Sequence, residues 1–205
     1  MRVPAEALQV ASLVIGLGNP GGEYAHTRHN AGWMVLDEME RRGRFGGARR
    51  EGPARLREGS IEGVEVVLAR PQTFMNLSGR AGVHLVRVLG LPVSEVVVVH
   101  DDVDIAFGRL RLRRGGSAGG NRGVRSLIDS WRTPDFIRVR VGIGRPAEGE
   151  DTVDHVLDTF APVERRALPA ILGRAADATI AIVRDGLELA MGEYNRAVPL
   201  DPPGG

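Results

Sequence analysis

The sequence predicts a single α/β domain in three layers, a mostly parallel, mixed and twisted sheet flanked by helices. Three observations lead there. Strand-like and helix-like segments alternate along the chain, the pattern of strands joined by helical crossovers. No composition break or internal repeat interrupts that alternation over 205 residues, a length that suits one domain burying roughly 70% of its unfolded surface. Residues 96–99 are four valines in a row, as a central strand covered on both faces requires.

The elements follow in order. Residues 1–12 carry Arg2 and Glu6 and no long apolar run, unlike a secretory signal. Together with 199–205 they are expected as flexible tails of the 1–205 domain. Residues 13–17 form a short apolar run ending in Gly18-Asn-Pro-Gly-Gly, a buried strand running into a loop. A helix is predicted over 30–42, with Trp33, Leu36 and Met39 or Glu40 on its inner edge. Residues 55–58 and 64–70 read as two strands joined by a polar turn containing Gly59 and Gly63. Val83, Val86 and Leu89 stand at helical spacing in 77–89, and Gly90 is placed to end that helix.

After the valine strand, 110–113 alternates apolar residues with arginine, a half-exposed strand near an edge. Residues 115–123 contain five glycines and form a flexible loop into a helix at 124–131. The alternation in 136–143 is a further strand. Residues 152–157 and 161–193 are helical, the second a single long amphipathic helix.

Composition narrows the function. Cysteine is absent, which excludes disulfides, a thiolate zinc site and a cysteine nucleophile. No segment approaches the ~20 apolar residues that span a bilayer, so a soluble protein is expected. The net charge is only +1, yet all 27 basic residues are arginine. The bland reading of that bias is a GC-rich genome favouring arginine codons. The local clusters Arg41, Arg42, Arg44, Arg49, Arg50 and Arg109, Arg111, Arg113, Arg114 are more telling, because the guanidinium fork suits phosphate oxygens. Nucleic acid is a candidate partner.

Gly16-Leu-Gly18-Asn-Pro-Gly21 has the spacing of a dinucleotide-binding loop. Against that reading, the chain continues through polar residues 22–29 rather than opening a helix onto a pyrophosphate. Asp37 and Glu38 also fall inside a helix instead of at the end of a second strand. His26 and His29 lack a third zinc ligand. The cluster Asp101, Asp102, Asp104 could take magnesium, but His100 and the apolar strand before it suit a base-orienting carboxylate better.

Five segments hold nearly all the unusual polar residues: 18–24, 27–32, 71–79, 100–104 and 115–123. Each lies at or just past the end of a predicted strand, the edge of an α/β sheet where ligands bind. Gly16-Leu-Gly-Asn-Pro-Gly-Gly-Glu-Tyr24, Thr27-Arg-His-Asn-Ala-Gly32, Thr73-Phe-Met-Asn-Leu-Ser-Gly79 and His100-Asp-Asp-Val-Asp104 together resemble the bacterial peptidyl-tRNA hydrolase family. The likeness runs from Leu13 to the C-terminal helix, omitting the tails.

The resemblance implies a monomeric, cytoplasmic esterase without metal or cofactor, which recycles tRNA from peptidyl-tRNA released prematurely by ribosomes. It implies His29 as general base, worth ~10²–10⁴-fold, and Asp101 as the group that holds its other ring proton. Asn76 would face the oxyanion and the substrate backbone. Asn19 would accept the peptide N–H that marks an acylated substrate. Tyr24 and Phe74 would touch the tRNA 3′ end, with Met75 as an apolar wall. The bland alternatives are a histidine packed at a helix start, a solvated strand-end carboxylate, a turn before Pro20 and two core aromatics.

One stretch departs from the family. Where relatives read His-Asn-Gly after Gly-Gly, this chain has Gly119-Gly-Asn121-Arg122-Gly123. Arg122 then stands in place of the asparagine that meets the tRNA 3′ end, and Asn121 would supply the amide after a small loop shift. A non-catalytic RNA-binding relative of the same fold is the alternative, and an NAD-dependent enzyme the third class.

Overall fold

The computed structural model describes residues 12–196. The tails predicted at 1–12 and 199–205 lie outside these residues, except Ser12, which already opens the first strand. Eight strands form one sheet: β1 Ser12–Gly16, β2 Arg44–Phe45, β3 Arg49–Glu51, β4 Ala54–Ile61, β5 Val64–Pro71, β6 Val97–Asp102, β7 Leu110–Arg114 and β8 Ile137–Gly142. Their order is β2-β4-β5-β1-β6-β8-β7, with β3 also on β4. The four central strands, β5-β1-β6-β8, are parallel. The antiparallel pairings lie outside them, with β4 against β5 and β7 against β8.

Six α-helices cover the sheet: α1 Ala31–Arg42, α2 Ser78–Leu89, α3 Arg122–Trp131, α4 Thr152–Leu157, α5 Pro162–Asp185 and α6 Leu187–Tyr194. Successive residues of a strand point to opposite faces, and the two cores follow. Val14, Val97, Val99 and Val139 pack with residues of α1, α5 and α6. Leu13, Ile15 and Val98 pack with Ala81 and Leu85 of α2 and with Val124 and Leu127 of α3. The three-layer reading holds, and β6 is buried along its whole length. Complete burial of a leucine such as Leu36 or Leu127 contributes about 1.5–3 kcal/mol each.

The chain leaves β1 toward α1 on one face, and leaves β6 toward β7 and α3 on the other. Between the carboxyl ends of these adjacent strands a crevice opens, the usual ligand position in such sheets.

Several local expectations are corrected. Gly59 lies within β4, not in the turn, and a Cβ there would come 2.1 Å from the Arg44 carbonyl oxygen of β2. The turn itself is Glu62-Gly63, both at positive φ. On α2 the buried positions are Ser78, Gly79, Ala81, Gly82 and Leu85, while Val83 is exposed. The strand expected over 136–143 forms as β8, and Arg138 within it is only 2% exposed. Its guanidinium donates to the carbonyls of Gly116 (2.7 Å) and Ser117 (2.6 Å) in the glycine-rich loop. It also lies over the Phe136 ring at 4.5 Å. Burial, with Arg113 and Arg140 nearby, pushes its pKa down to about 10. The predicted helix 161–193 is two helices, broken at Gly186, whose φ of 91° an L-residue rarely adopts.

Candidate active site

The crevice is built from loops that the sheet aligns. Past β1, the Leu17 N–H donates to Val99 O of β6 at 2.9 Å, which carries the strand's direction one residue beyond its end. The backbone of Asn19 is then gripped twice by the fully buried Asn30. Its N–H donates to Asn30 Oδ1 (2.9 Å), and Asn30 Nδ2 donates to its carbonyl (3.0 Å). The Asn19 side chain is fixed in turn, since its Oδ1 accepts the Met75 N–H at 2.8 Å. That oxygen is already engaged, so the Asn19 group without a hydrogen-bond partner among the described residues is its NH2. The oxygen keeps a second lone pair, so Asn19 presents an amide donor beside the acceptor expected for a peptide N–H.

His29 sits in a one-turn 3-10 helix, Arg28–Asn30, just ahead of α1. That turn is anchored from behind. The Arg28 guanidinium pairs with Glu164 of α5 (2.8 Å) and donates to the His155 carbonyl of α4 (3.3 Å). Its backbone N–H donates to Asp158 O at 2.9 Å. Gly32 lets α1 start directly on the sheet. A Cβ there would meet Val99 O at 2.4 Å and Leu17 N at 2.6 Å.

The His29 Nδ1–H donates to Asp101, 3.0 Å from each carboxylate oxygen. Both residues are buried, at 6% and 2% exposure. With Nδ1 occupied, Nε2 is the ring nitrogen left for the cleft. Burial alone would push this imidazole down. The Asp101 carboxylate, by charge and by hydrogen bond, more than offsets it and leaves the pKa above the usual 6.5, although Arg122 works in the lowering direction. Asp101 has a second partner, Asn121, whose Nδ2 donates to Oδ1 at 2.9 Å. The Asn121 Oδ1 meanwhile accepts the Gly123 (3.0 Å) and Val124 (3.1 Å) N–H groups as the N-cap of α3. The Asn121 amide is engaged at both ends within the protein.

The other carboxylates of this segment diverge. Asp102 pairs with Arg140 at 2.7 Å and Asp104 with Arg145 at 2.8 Å, so the three do not converge on one point. His26 is exposed, whereas His29 is turned inward.

One cleft of ≈ 290 Å³ is lined by Asn19, Tyr24, His29, Phe74, Asn76, Asp101, Asn121 and Arg122. Every residue to which the resemblance gives a catalytic or substrate-contacting role therefore borders the same space. Phe74, 57% exposed, and the exposed Asn76 form its rim on the β5 side. The chain from 13 to 201 matches the family model described as peptidyl-tRNA hydrolase.

The chain belongs to the peptidyl-tRNA hydrolase family.

Relatives of that description are 45% identical in Nocardia farcinica, over 90% of this chain and 96% of the relative. In Chloroflexus aurantiacus the identity is 47%, over 89% of this chain and 98% of the relative. The crystal structure of peptidyl-tRNA hydrolase from Acinetobacter baumannii superposes with a TM-score of 0.83 at 33% identity, covering 93% of this chain and 97% of that one.

Other parts of the site were not legible as functional in the sequence. Val153, Val156 and Leu157 of α4 add apolar surface to the cleft. Their i, i+3, i+4 spacing signals a helical stripe, but nothing in the sequence says that it borders a cleft. The Asn30 clamp and the Arg28 anchor are likewise tertiary contacts, although both residues lie within the Thr27–Gly32 segment. In chemical terms, the cleft offers a buried imidazole with one free nitrogen, several amide groups and an apolar lining.

Proposed function

We infer that this cleft hydrolyses the ester between a peptide and the 3′ end of tRNA, with His29 as general base. The observation that carries the reading is the buried His29–Asp101 pair, which frees only Nε2 for the cleft. A water between Nε2 and the ester loses a proton to the ring as its oxygen attacks the carbonyl carbon. Asp101 holds Nδ1–H and favours the imidazolium that forms. The oxyanion accepts from Asn76, and one such donor is worth ~10²–10³-fold. When the tetrahedral intermediate collapses, the C–O bond to the ribose breaks and the imidazolium protonates the leaving oxygen. The products are a peptide carboxylate and a free tRNA 3′ end, and no step calls on a metal or cofactor.

The Asn19 NH2 donates to an acyl carbonyl of the substrate, and the α4 wall takes apolar side chains of the peptide. Tyr24 and Phe74 offer faces on which the 3′ terminal bases stack, at ~1–3 kcal/mol per base. Arg122 meets a phosphate at the cleft mouth. The protein works as a monomer, and a translation substrate places the work in the cytoplasm. No helix among the described residues is long and apolar enough to cross a membrane. A relative that only bound RNA would have no use for a buried imidazole braced by a carboxylate.

The direct experiment follows release of an N-acetylated amino acid from tRNA. His29→Ala should lower kcat by ~10²–10⁴-fold while tRNA affinity stays within about threefold. Unchanged turnover, or loss of binding together with turnover, overturns the assignment.

A further inference from the structure

We propose that Asn121 is the positioning residue of the His29–Asp101 pair, its amide fastening the Asp101 carboxylate to the N-terminus of α3. The proposal rests on His29 being the base. Asn121 is 8% exposed and its side chain makes four hydrogen bonds. Nδ2 donates to Asp101 Oδ1 (2.9 Å) and to the Asp101 carbonyl (3.3 Å), while Oδ1 accepts two N–H groups of the first turn of α3. One planar amide thus spans the gap between the end of β6 and the start of α3. It cannot turn without breaking contacts on both sides.

The consequence is electrostatic as well as geometric. A hydrogen bond to a carboxylate stabilises its charge, so the Asp101 charge is shared between Asn121 and the His29 ring. Through Oδ1, the amide also ties that charge to the positive end of the α3 dipole. Asn121 therefore restrains Asp101 from holding the imidazolium too firmly, which keeps the ring available as a base near neutrality. It also sets the direction from which the next residue, Arg122, enters the cleft.

The charged groups around His29 are few. Asp101 and Asp102 come from β6, and Arg122 comes from α3. On its own turn Arg28 is paired with Glu164 of α5. The α4 residues facing the cleft are Thr152, Val153, Val156 and Leu157, all uncharged.

Asn121→Ser and Asn121→Asp separate the two roles, because both side chains still cap a helix but neither donates an amide N–H to Asp101. The full chain is used for two readouts: NMR titration of the His29 ring, assigned by its absence from His29→Ala, and the pH profile of kcat/KM. In Asn121→Ser the ring should titrate at higher pH than in the parent, and in Asn121→Asp higher still. On the acid side kcat/KM should fall about fivefold in Asn121→Ser, with the deficit shrinking as pH rises. Asn121→Ala should add a loss of stability from the missing cap, read as a lower melting temperature than either capped variant. If the ring titrates where it does in the parent, or lower, in both capped variants, Asn121 is a helix cap only and the proposal fails. The NMR arm reads the ring whether or not it is the base, so that failure is distinguishable from an error in the function of His29.

Discussion

A single carboxylate sets the pH behaviour of the cleft. Only neutral His29 can accept a proton from water. Because Asp101 holds the ring's pKa above 6.5, kcat/KM should rise with pH along one limb whose midpoint lies above that value. In Asp101→Asn the carboxamide carries no charge, while burial and Arg122, both lowering, remain. The limb should then move to lower pH as the limiting rate falls roughly 10³–10⁴-fold, the cost of a misheld tautomer. A pH profile checks both, and a limb that stays in place would assign it to another group. The neighbouring His100 acts on stability in the opposite sense. It is fully enclosed, donates Nδ1–H to the Asp101 carbonyl at 2.7 Å, and is pushed below 6.5 by burial. Its contribution to stability is present above the unfolded value and lost as pH falls through the folded one. The raised His29 contributes below 6.5 and loses that contribution as pH rises. Thermal melts between about pH 5 and 7 should show a shallower loss on acidification in His100→Gln than in the parent. An equal or steeper slope would mean that His100 is not the group protonated on unfolding.

At the scale of elements, the site depends on how closely α1 approaches the sheet. Gly32→Ala would place a Cβ against Val99 O and Leu17 N, backbone atoms of a hydrogen-bonded ladder that cannot give way. The change should destabilise by about 1–3 kcal/mol. It should also lower kcat beyond any loss of folded protein, because the turn carrying His29 moves with α1. Gly173→Ala in α5 is the contrast. The atom nearest its Cβ is the tip of the Arg42 guanidinium, which can shift at the cost of its half-exposed pairs with Glu38 and Asp177, so stability should change by no more than about 1 kcal/mol. Chemical denaturation of both variants decides whether backbone proximity is the cause. The same distinction between local and tertiary information explains what could be read in advance. The valine run of β6, the apolar run of β1 and Gly90 at the end of α2 are local signals. The polar segments were recognisable because each follows a strand. The two- and three-residue strands β2 and β3 are too short to show a period. The buried Arg138 obeys the alternation rule yet lies beneath a loop that only the fold brings over it. Asn121 was readable as a cleft residue, but its bond to Asp101 joins positions 20 apart in sequence, and no spacing rule announces such a contact.

For the whole molecule, the near-zero net charge conceals an uneven field. Three arginines of α1 and α5 are matched by carboxylates: Arg41 and Arg42 with Glu38, Arg42 also with Asp177, and Arg184 with Glu62 and Asp185. Exposed pairs of this kind add only about 0–1 kcal/mol each, so their main effect is to cancel charge. Arg113 at the end of β7 and Arg122 and Arg125 in the first turn of α3 are exposed and have no ion-pair partner among the described residues. Arg122 lines the cleft, and Arg113 and Arg125 border the glycine-rich loop, so that loop is flanked by positive charge on which a polyanion would release counterions on binding. Binding of deacylated tRNA should weaken linearly as log salt rises. Arg113→Gln and Arg125→Gln should each reduce that slope by about 0.7–0.9, similarly for different tRNAs, with stability changed by no more than about 0.5 kcal/mol. Arg41→Gln, which removes a charge already matched by Glu38, should leave the slope unaltered. Equal reductions from all three substitutions would mean that tRNA responds to overall charge, and the cleft face would lose its claim to be the docking surface.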